Sequence, residues 1–530
     1  MSEPTPTITR RTFLTKLGAV SGATAVYGAM EALGLIASPA NAQPVDFRPP
    51  RAGDLPRSRR RTKVAIIGAG TAGLAAAYEL GKAGYDVHVL EASGRPGGRA
   101  LTIRRGDTVV DTDGVAQTCH YDPGQYFNAG PARIPNHHVT LDYCRELKVP
   151  IEALVNANAE AYYYFENTAT VDYGPLASTP VRHRVAKADW FGYTMELLAR
   201  AVDQGALDDV LTVEDAERLV SFAESFGGLS GGRYVGGSRR GYTKTPTTEP
   251  GIVNGPPPDL STVLRSRMGN QFSFELGFDQ AMMMWQPVGG MDRISAALAD
   301  RVGRHRITYN APVIELATTP DGVRIVYQGR GTRPQVLEAE YCIAAIPPMI
   351  LRELPSNLSP TTKSALAQAN GANTGKIGLQ FRRRFWEEDE DIFGGITHTN
   401  LDVSGIWYPS YGYLGEKGVV VGYYSGAYTN LSVPERQARA LAQGAKIHGQ
   451  KYIDEFETAV SVAWPKMPWA RGGWVSWQGG RGAAYQHLLQ PDGRIYFAGD
   501  HLSYYTSWQA GAFESARKVV MDLHARVAAS

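Results

Sequence analysis

Val64-Ala65-Ile66-Ile67-Gly68-Ala69-Gly70-Thr71-Ala72-Gly73 is the stretch that decides how the rest of the chain is read. Four apolar residues in an unbroken run are what a strand buried on both faces requires, and the run breaks directly into G-x-G-x-x-G. A helix is expected from Leu74 to Ala83, a stop at Gly84, and a second strand over Asp86-Val87-His88-Val89-Leu90-Glu91, which completes a βαβ unit. Backbone at Gly68, Gly70 and Gly73 can come close to a pyrophosphate because no Cβ intervenes, the helix N-terminus behind them offers unpaired N–H groups, and Thr71 and Ala72 are expected to stand against the cofactor. Alone, such a loop is often only a tight turn. Here Glu91 follows about 20 residues later, where a carboxylate accepts ribose hydroxyl protons and repels a 2'-phosphate, so the unit reads as a dinucleotide site.

The chain has 530 residues, enough for two or three regions sharing interfaces. Lys plus Arg number 54 against 52 Asp plus Glu, so no long-range field gathers nucleic acid or an anionic membrane. The aromatic content suits a pocket but equally suits a large core. Thr9-Arg10-Arg11-Thr12-Phe13-Leu14 reads as a twin-arginine export signal, followed by an uncharged stretch from Leu17 to Met30 and the small-residue pattern Ala40-Asn41-Ala42. That stretch is shorter than the roughly 20 apolar residues of a spanning helix, so residues 1–42 are expected to be removed after secretion or export to the periplasm, with no membrane anchor. Residues 43–61, rich in Pro and Arg, read as an exposed lead-in. Cys119, Cys144 and Cys342 give no disulfide framework and read as small buried side chains.

Further along, residues 185–300 read as mainly helical, with a capping box at Thr212-Val213-Glu214-Asp215. A Gly-rich run, Gly227 to Gly241, and a Pro-rich run, Pro246 to Pro258, interrupt it; a place near a pocket mouth is favoured for them over plain surface irregularity. Strand patterns return at Thr308 to Leu316, Val323 to Tyr327 and Tyr341 to Ile346, a helix starts at the Ser432/Glu435 capping box, and the strand Arg494 to Ala498 opens into Gly499-Asp500 before a helix over about Trp508 to Arg526.

Glu91-Ala92-Ser93-Gly94-Arg95-Pro96-Gly97-Gly98-Arg99 and the later Gly499-Asp500 resemble the second diphosphate motif and the closing motif of FAD enzymes akin to monoamine oxidase. After residue 62 the chain is similar to the flavin amine oxidase superfamily, and within it to the L-amino acid oxidases. The resemblance implies bound FAD, with Arg99 neutralising diphosphate charge, Asp500 holding ribityl or diphosphate groups and Val313 in Pro312-Val313-Ile314 pairing with adenine through its main chain. It also implies an amine oxidase fold of the α/β + α class, with a Rossmann-like FAD-binding domain (62–100, 286–365 and 488–527), a mixed-sheet substrate domain (101–180 and 366–487) and a helical insertion (181–285).

The finer match lies in short pieces. Gly130-Pro131-Ala132-Arg133-Ile134-Pro135 resembles the segment that passes beside the flavin and whose arginine pairs with the substrate carboxylate; the competing reading of Arg133 is a structural pair with a protein acid. Ile406-Trp407-Tyr408-Pro409 resembles the segment supplying a tyrosine hydroxyl to the same carboxylate, a role assigned to Tyr408 with Trp407 as the neighbour easily confused with it. Thr374-Gly375-Lys376-Ile377-Gly378 matches the place of a lysine that holds water near the flavin, against the alternative of a surface lysine. Thr506-Ser507-Trp508-Gln509-Ala510-Gly511-Ala512 corresponds to the piece where a glycine carbonyl receives the substrate ammonium and an aromatic ring walls the pocket; Ser507 replaces that glycine, which puts the turn in question. Trp508 and Trp474 are the expected walls, and Gln509 and Ala510 stand beside the cofactor. No cysteine lies where monoamine oxidases attach flavin, so FAD is expected to be non-covalent.

The implied reaction uses a small-molecule amino acid and O2, giving a 2-oxo acid, ammonia and hydrogen peroxide, and the run Met282-Met283-Met284-Trp285 inclines the expected substrate towards bulky apolar or aromatic side chains. Rival readings are an amine or polyamine oxidase, an amino-acid 2-monooxygenase and a non-catalytic exported flavoprotein. No metal is expected: His137-His138 are adjacent, adjacent side chains point apart in a regular element, and they read as helix-entry residues. Relatives suggest a homodimer, which nothing in the sequence fixes.

Overall fold

The structure is a computed structural model that describes residues 55–58, 61–329, 331 and 333–529. The export signal expected over 1–42 lies outside the described residues, as does most of the lead-in.

The opening βαβ unit forms as its pattern requires. Lys63–Ile67 and Asp86–Leu90 are parallel strands joined by the helix Thr71–Lys82, and Val64 and Ile66 have no exposed surface. Gly68 and Gly73 allow the loop to close: Gly68 adopts φ +100°, and a Cβ on Gly73 would lie 2.0 Å from the Gly68 carbonyl oxygen. Three distant pieces extend the sheet in parallel, Tyr341–Ala344 and then Ile495–Phe497 on one side and Ile307–Thr308 on the other, giving five strands. Their carboxyl ends bring Gly68, Glu91 and Gly499 to one rim, the place where open parallel sheets bind ligands.

The strand expected over Thr308 to Leu316 is in fact two. Ile307–Thr308 ends the parallel sheet, the chain turns through Asn310 at φ +54°, and Val313–Thr318 enters a separate antiparallel sheet with Val323–Gln328 and Pro334–Ala339. Proline at 312 has no N–H to continue a ladder, which explains the break.

A seven-stranded sheet carries the other side of the site, with Gly375–Phe381 between Phe456–Ala463 and Gly418–Ser425. Every residue of Gly375–Phe381 is buried, because the strand is covered on both faces. The sheet takes in Val181–Arg182, and Met283–Pro287 pairs with Ile151–Val155, so both ends of the helical insertion expected over 181–285 are strand. Between them lie the helices His183–Asp203, Val213–Gly227 and Leu260–Arg265; Thr212 caps the second by accepting the Asp215 N–H at 3.2 Å. The Ser432/Glu435 capping box is complete and starts the helix Val433–His448. All three cysteines are buried and free. No helix among the described residues is long and apolar enough to cross a membrane.

Candidate active site

A cavity of about 900 Å³ runs from the glycine loop to the inner face of the seven-stranded sheet. Gly68, Gly70, Thr71, Ala72, Glu91, Ala92, Arg99, Gly130, Pro131, Ala132, Arg133, Val313, Lys376, Trp474, Gly499, Asp500, Ser507, Trp508 and Gln509 all line it. Gly73, Ala510 and Tyr408 do not. Gly73 acts by packing, as its contact with Gly68 shows, and Ala510 is buried within the helix Gln509–Ala529.

At the glycine loop a Cβ on Gly70 would meet no protein atom within 4 Å, and the helix behind it has no side-chain cap, so its N–H groups open onto the cavity. Glu91 is fixed by the Ala69 N–H at 2.6 Å and by the Ser93 N–H and hydroxyl at 2.8 and 2.6 Å. Arg99, expected to neutralise diphosphate charge, lines the cavity, makes an ion pair with Asp500 and donates to the Gly473 carbonyl at 3.0 Å. Burial alone would raise the Asp500 carboxyl, but the Arg99 and His501 charges and the hydrogen bonds from Ser507 N–H and Arg99 hold it below its ordinary value. Arg95 lines the same end of the cavity without an acid within ion-pair distance among the described residues: its guanidinium donates to the Pro96 and Gly98 carbonyls, and burial is the main cause that lowers its pKa. It stood inside the quoted motif, but the motif does not say which of its two arginines Asp500 takes. Gln509 completes this part, with both amide atoms buried and without a hydrogen-bond partner in the protein.

These features fit a flavin dinucleotide: a cradle that a Cβ would invade, a helix N-terminus and Arg95 for diphosphate, Glu91 for ribose, and an unsatisfied amide at Gln509 for the ribityl–isoalloxazine end. The expected cysteine-free surroundings hold among the lining residues, since Cys119, Cys144 and Cys342 are absent from them.

At the far end, the segment bearing Arg133 is pinned by the reciprocal Ile134–Trp285 main-chain bonds of 2.7 and 3.0 Å. Arg133 donates to Asn156 Oδ1 at 2.7 Å and stacks 4.5 Å from the centre of the Trp407 ring, with Trp508 and Phe274 at 5.8 and 5.7 Å. Part of its surface remains open, and that part faces the cavity. Burial lowers its pKa to about 10. Lys376 projects from its strand to donate to the Gly130 carbonyl at 2.5 Å, and burial, then the Arg133 charge, pushes it down to about 7. It is not a surface lysine.

Tyr408 is a correction. Its hydroxyl is buried away from the cavity between Thr397 Oγ1 at 2.8 Å and His448 Nε2 at 2.9 Å, and His448 continues to Glu390 at 2.8 Å. Trp407 ends the strand Gly405–Trp407, and neighbouring side chains there face opposite ways, so Trp407 takes the cavity side and Tyr408 the core. The tyrosine that does line the cavity is Tyr424, whose strand pairs it with Lys376; the Lys376 ammonium sits 4.6 Å from its ring centre. Nothing local in the sequence around Tyr424 marked it.

Ser507 resolves the doubtful turn by adopting φ +73°, the left-handed form a glycine takes freely, while its N–H donates to Asp500 Oδ2 at 2.9 Å. Residues 227–241 and 246–258 are absent from the lining of this cavity, as is Met282-Met283-Met284-Trp285; part of the Gly-rich run, including Gly227, Gly236 and Gly237, lines a separate hollow beside Arg184 and Phe191. The histidines 137 and 138 do not point apart: both Nε2 atoms reach one oxygen of Asp279.

The model of the family described as flavin containing amine oxidoreductase matches residues 71–524. The chain belongs to this family. FAD is therefore its cofactor, and the residues that line the cavity fit it. Among named relatives, "Putative L-amino-acid oxidase YobN" of Bacillus subtilis (strain 168) is 27% identical over 486 residues, covering 89% of this chain and 96% of the relative. "L-amino acid oxidase bordonein-L" of Crotalus durissus terrificus is 25% identical over 495 residues, covering 87% of this chain and 86% of its own length. The solved structure of cyclohexylamine oxidase from Brevibacterium oxydans IH-35A superposes with a TM-score of 0.58 at 18% identity, covering 88% of this chain and 99% of that one, and putrescine oxidase bound to putrescine gives 0.57 at 22% with the same coverage. At such identities these structures establish the shared amine oxidase fold.

Proposed function

We propose that this flavin amine oxidoreductase oxidises L-α-amino acids to 2-oxo acids with release of ammonia and hydrogen peroxide, favouring bulky apolar or aromatic side chains. One observation carries the reading: Arg133 faces the cavity with no carboxylate within ion-pair distance among the described residues. A half-buried guanidinium without an acid is stabilised by an anion from outside, and a carboxylate matches its planar fork. An amine or polyamine lacks that carboxylate and would bring its ammonium towards Arg133 and Lys376, so the same observation disfavours those substrates.

In this reading Arg133 and Tyr424 hold the carboxylate, and the main-chain carbonyl of Ser507 receives the amino group. Orienting the α-carbon this way is the chief requirement of the reaction. Bound FAD supplies two-electron oxidation of that carbon, oxygen serving as the final acceptor. Lys376, neutral above about pH 7, holds a water or takes a proton next to Gly130. The imino acid then hydrolyses to the 2-oxo acid. The rings of Phe274, Trp407 and Trp508 around Arg133 support an apolar or aromatic side chain.

The test is a panel of L-amino acids beside their decarboxylated amines, read by peroxide release and by bleaching of the flavin under nitrogen. The proposal expects turnover and bleaching with amino acids alone. Turnover of the amines only, or a carbon dioxide-releasing product that keeps its nitrogen, would replace it, and a flavin that stays yellow throughout would mean a non-catalytic flavoprotein. With residues 1–42 as a twin-arginine signal, the reading also makes this a periplasmic or secreted enzyme with small-molecule partners, in which a homodimer is the assembly to test by sedimentation.

A further inference from the structure

His137 and His138 lie in a turn closed by the His138 N–H donating to the Pro135 carbonyl at 3.2 Å, which is why two adjacent imidazoles can face the same way. Their Nε2 atoms stand 3.1 and 2.9 Å from Oδ1 of Asp279, a residue distant in sequence. His138 is 4% exposed, so its ring direction is fixed by packing, edge-on to Tyr505 at 4.8 Å and to Trp508 at 5.0 Å. The His137 and Asp279 side chains keep 32% and 29% exposure, leaving the outer side of the group open to water.

We propose that His137, His138 and Asp279 form a binding site for a zinc-class divalent cation, with water completing the coordination. Neutral imidazole and carboxylate are the donors such an ion takes, at about 2.0–2.2 Å, which in tetrahedral geometry separates the donors by about 3.3 Å. The three donor atoms lie within 4.8 Å of one another, and the two N–O separations are within a few tenths of an ångström of that figure. The widest donor separation, up to 4.8 Å, must close towards that figure, which a turn of the partly exposed His137 ring can supply.

The site also has a place in the architecture. Asp279 precedes Gln280, which lines the cavity and accepts from Asn156 at 3.4 Å, and Asn156 in turn holds Arg133. An ion would tie this segment to the turn that follows Arg133, at a wall shared with Trp508. The assignment depends on the donor set alone and stands whatever substrate the cavity takes.

Purified FAD-loaded full-length protein, free of any affinity tag and stripped with a chelator, is titrated with zinc chloride by calorimetry. One equivalent binding at micromolar or tighter affinity is expected, with at least a tenfold loss in both Asp279→Asn and His137→Gln. These two variants change side chains that are partly open to water, and an unaltered flavin absorption spectrum checks that each is folded. Cobalt(II) should bind with the same stoichiometry and give visible bands at longer wavelength than the flavin. Absence of stoichiometric zinc uptake, or wild-type affinity in either variant, overturns the proposal.

Discussion

The Arg133 guanidinium carbon lies 4.5 Å from the centre of the Trp407 ring, and the group is held between that ring and the Asn156 amide oxygen. These two contacts hold the fork in place and leave its other N–H groups for a ligand. Replacing Arg133 by Met keeps a long side chain against Trp407 but removes the charge. Losing a close charge pair costs about 2–5 kcal/mol, or roughly 30- to 5000-fold in kcat/KM. That loss should fall on amino acids, mainly through KM, while FAD content stays as in the wild type. Steady-state kinetics beside the 450 nm absorbance per protein checks both. Wild-type kinetics in the variant would remove Arg133 from the substrate site.

Lys376 makes the pH profile a test of the site. With its pKa lowered from 10.5 to about 7 by burial and then by Arg133, it is cationic below about pH 7 and neutral above. Turnover should therefore rise through pH 7, and Lys376→Met should lose that limb and fall by about 10²- to 10⁴-fold at pH 8, the range of a general base. Stability has its own sign. Between about pH 7 and 10.5 the unfolded chain binds the proton that the folded one has lost, so stability rises with pH across that window, and below it the cost of the buried charge is fully present. Lys376→Met should accordingly raise the Tm most below pH 7 and least near pH 10.

Tyr408 and Tyr424 should separate structure from function. Tyr408→Phe leaves Thr397 Oγ1 and His448 Nε2 facing a ring in the core, costing about 1–3 kcal/mol of stability with little change in KM. Tyr424→Phe removes the hydroxyl of a residue that lines the cavity and should raise KM while leaving the Tm nearly unchanged. Thermal unfolding and kinetics on both variants decide it, and the opposite pattern would restore Tyr408 to the substrate site.

The contrast between those tyrosines also shows how far the sequence could be read. The βαβ unit was legible because its signals are local: an apolar run, glycines that contact one another and an acid at the end of the next strand. Arg133 and Lys376 were legible because each sits in a short motif whose neighbours pass the cavity. Tyr408 was misplaced because a single-residue alternation on a strand decides which side chain enters the cavity, and Tyr424 lacked any motif. Arg95 and Arg99 share one motif, yet the partner that distinguishes them, Asp500, lies 401 residues from Arg99. The glycine- and proline-rich runs from 227 to 258 show that irregular backbone marks a loop without saying what it faces.

Ser507 gives the last test, of strain kept beside the flavin site. An L-residue in the left-handed region costs roughly 1–2 kcal/mol, and Ser507 at φ +73° is held there by the bond from its N–H to Asp500, itself paired with Arg99. Ser507→Gly relieves the strain but adds backbone freedom to the unfolded chain, so the net gain should lie between about zero and 1 kcal/mol with turnover and FAD content retained. Ser507→Val cannot adopt this φ without further strain and should swing the N–H away from Asp500, lowering the Tm and releasing FAD on dialysis. If instead the valine variant keeps its flavin and the glycine variant loses it, the turn at 507 is set by the serine side chain and not by the backbone.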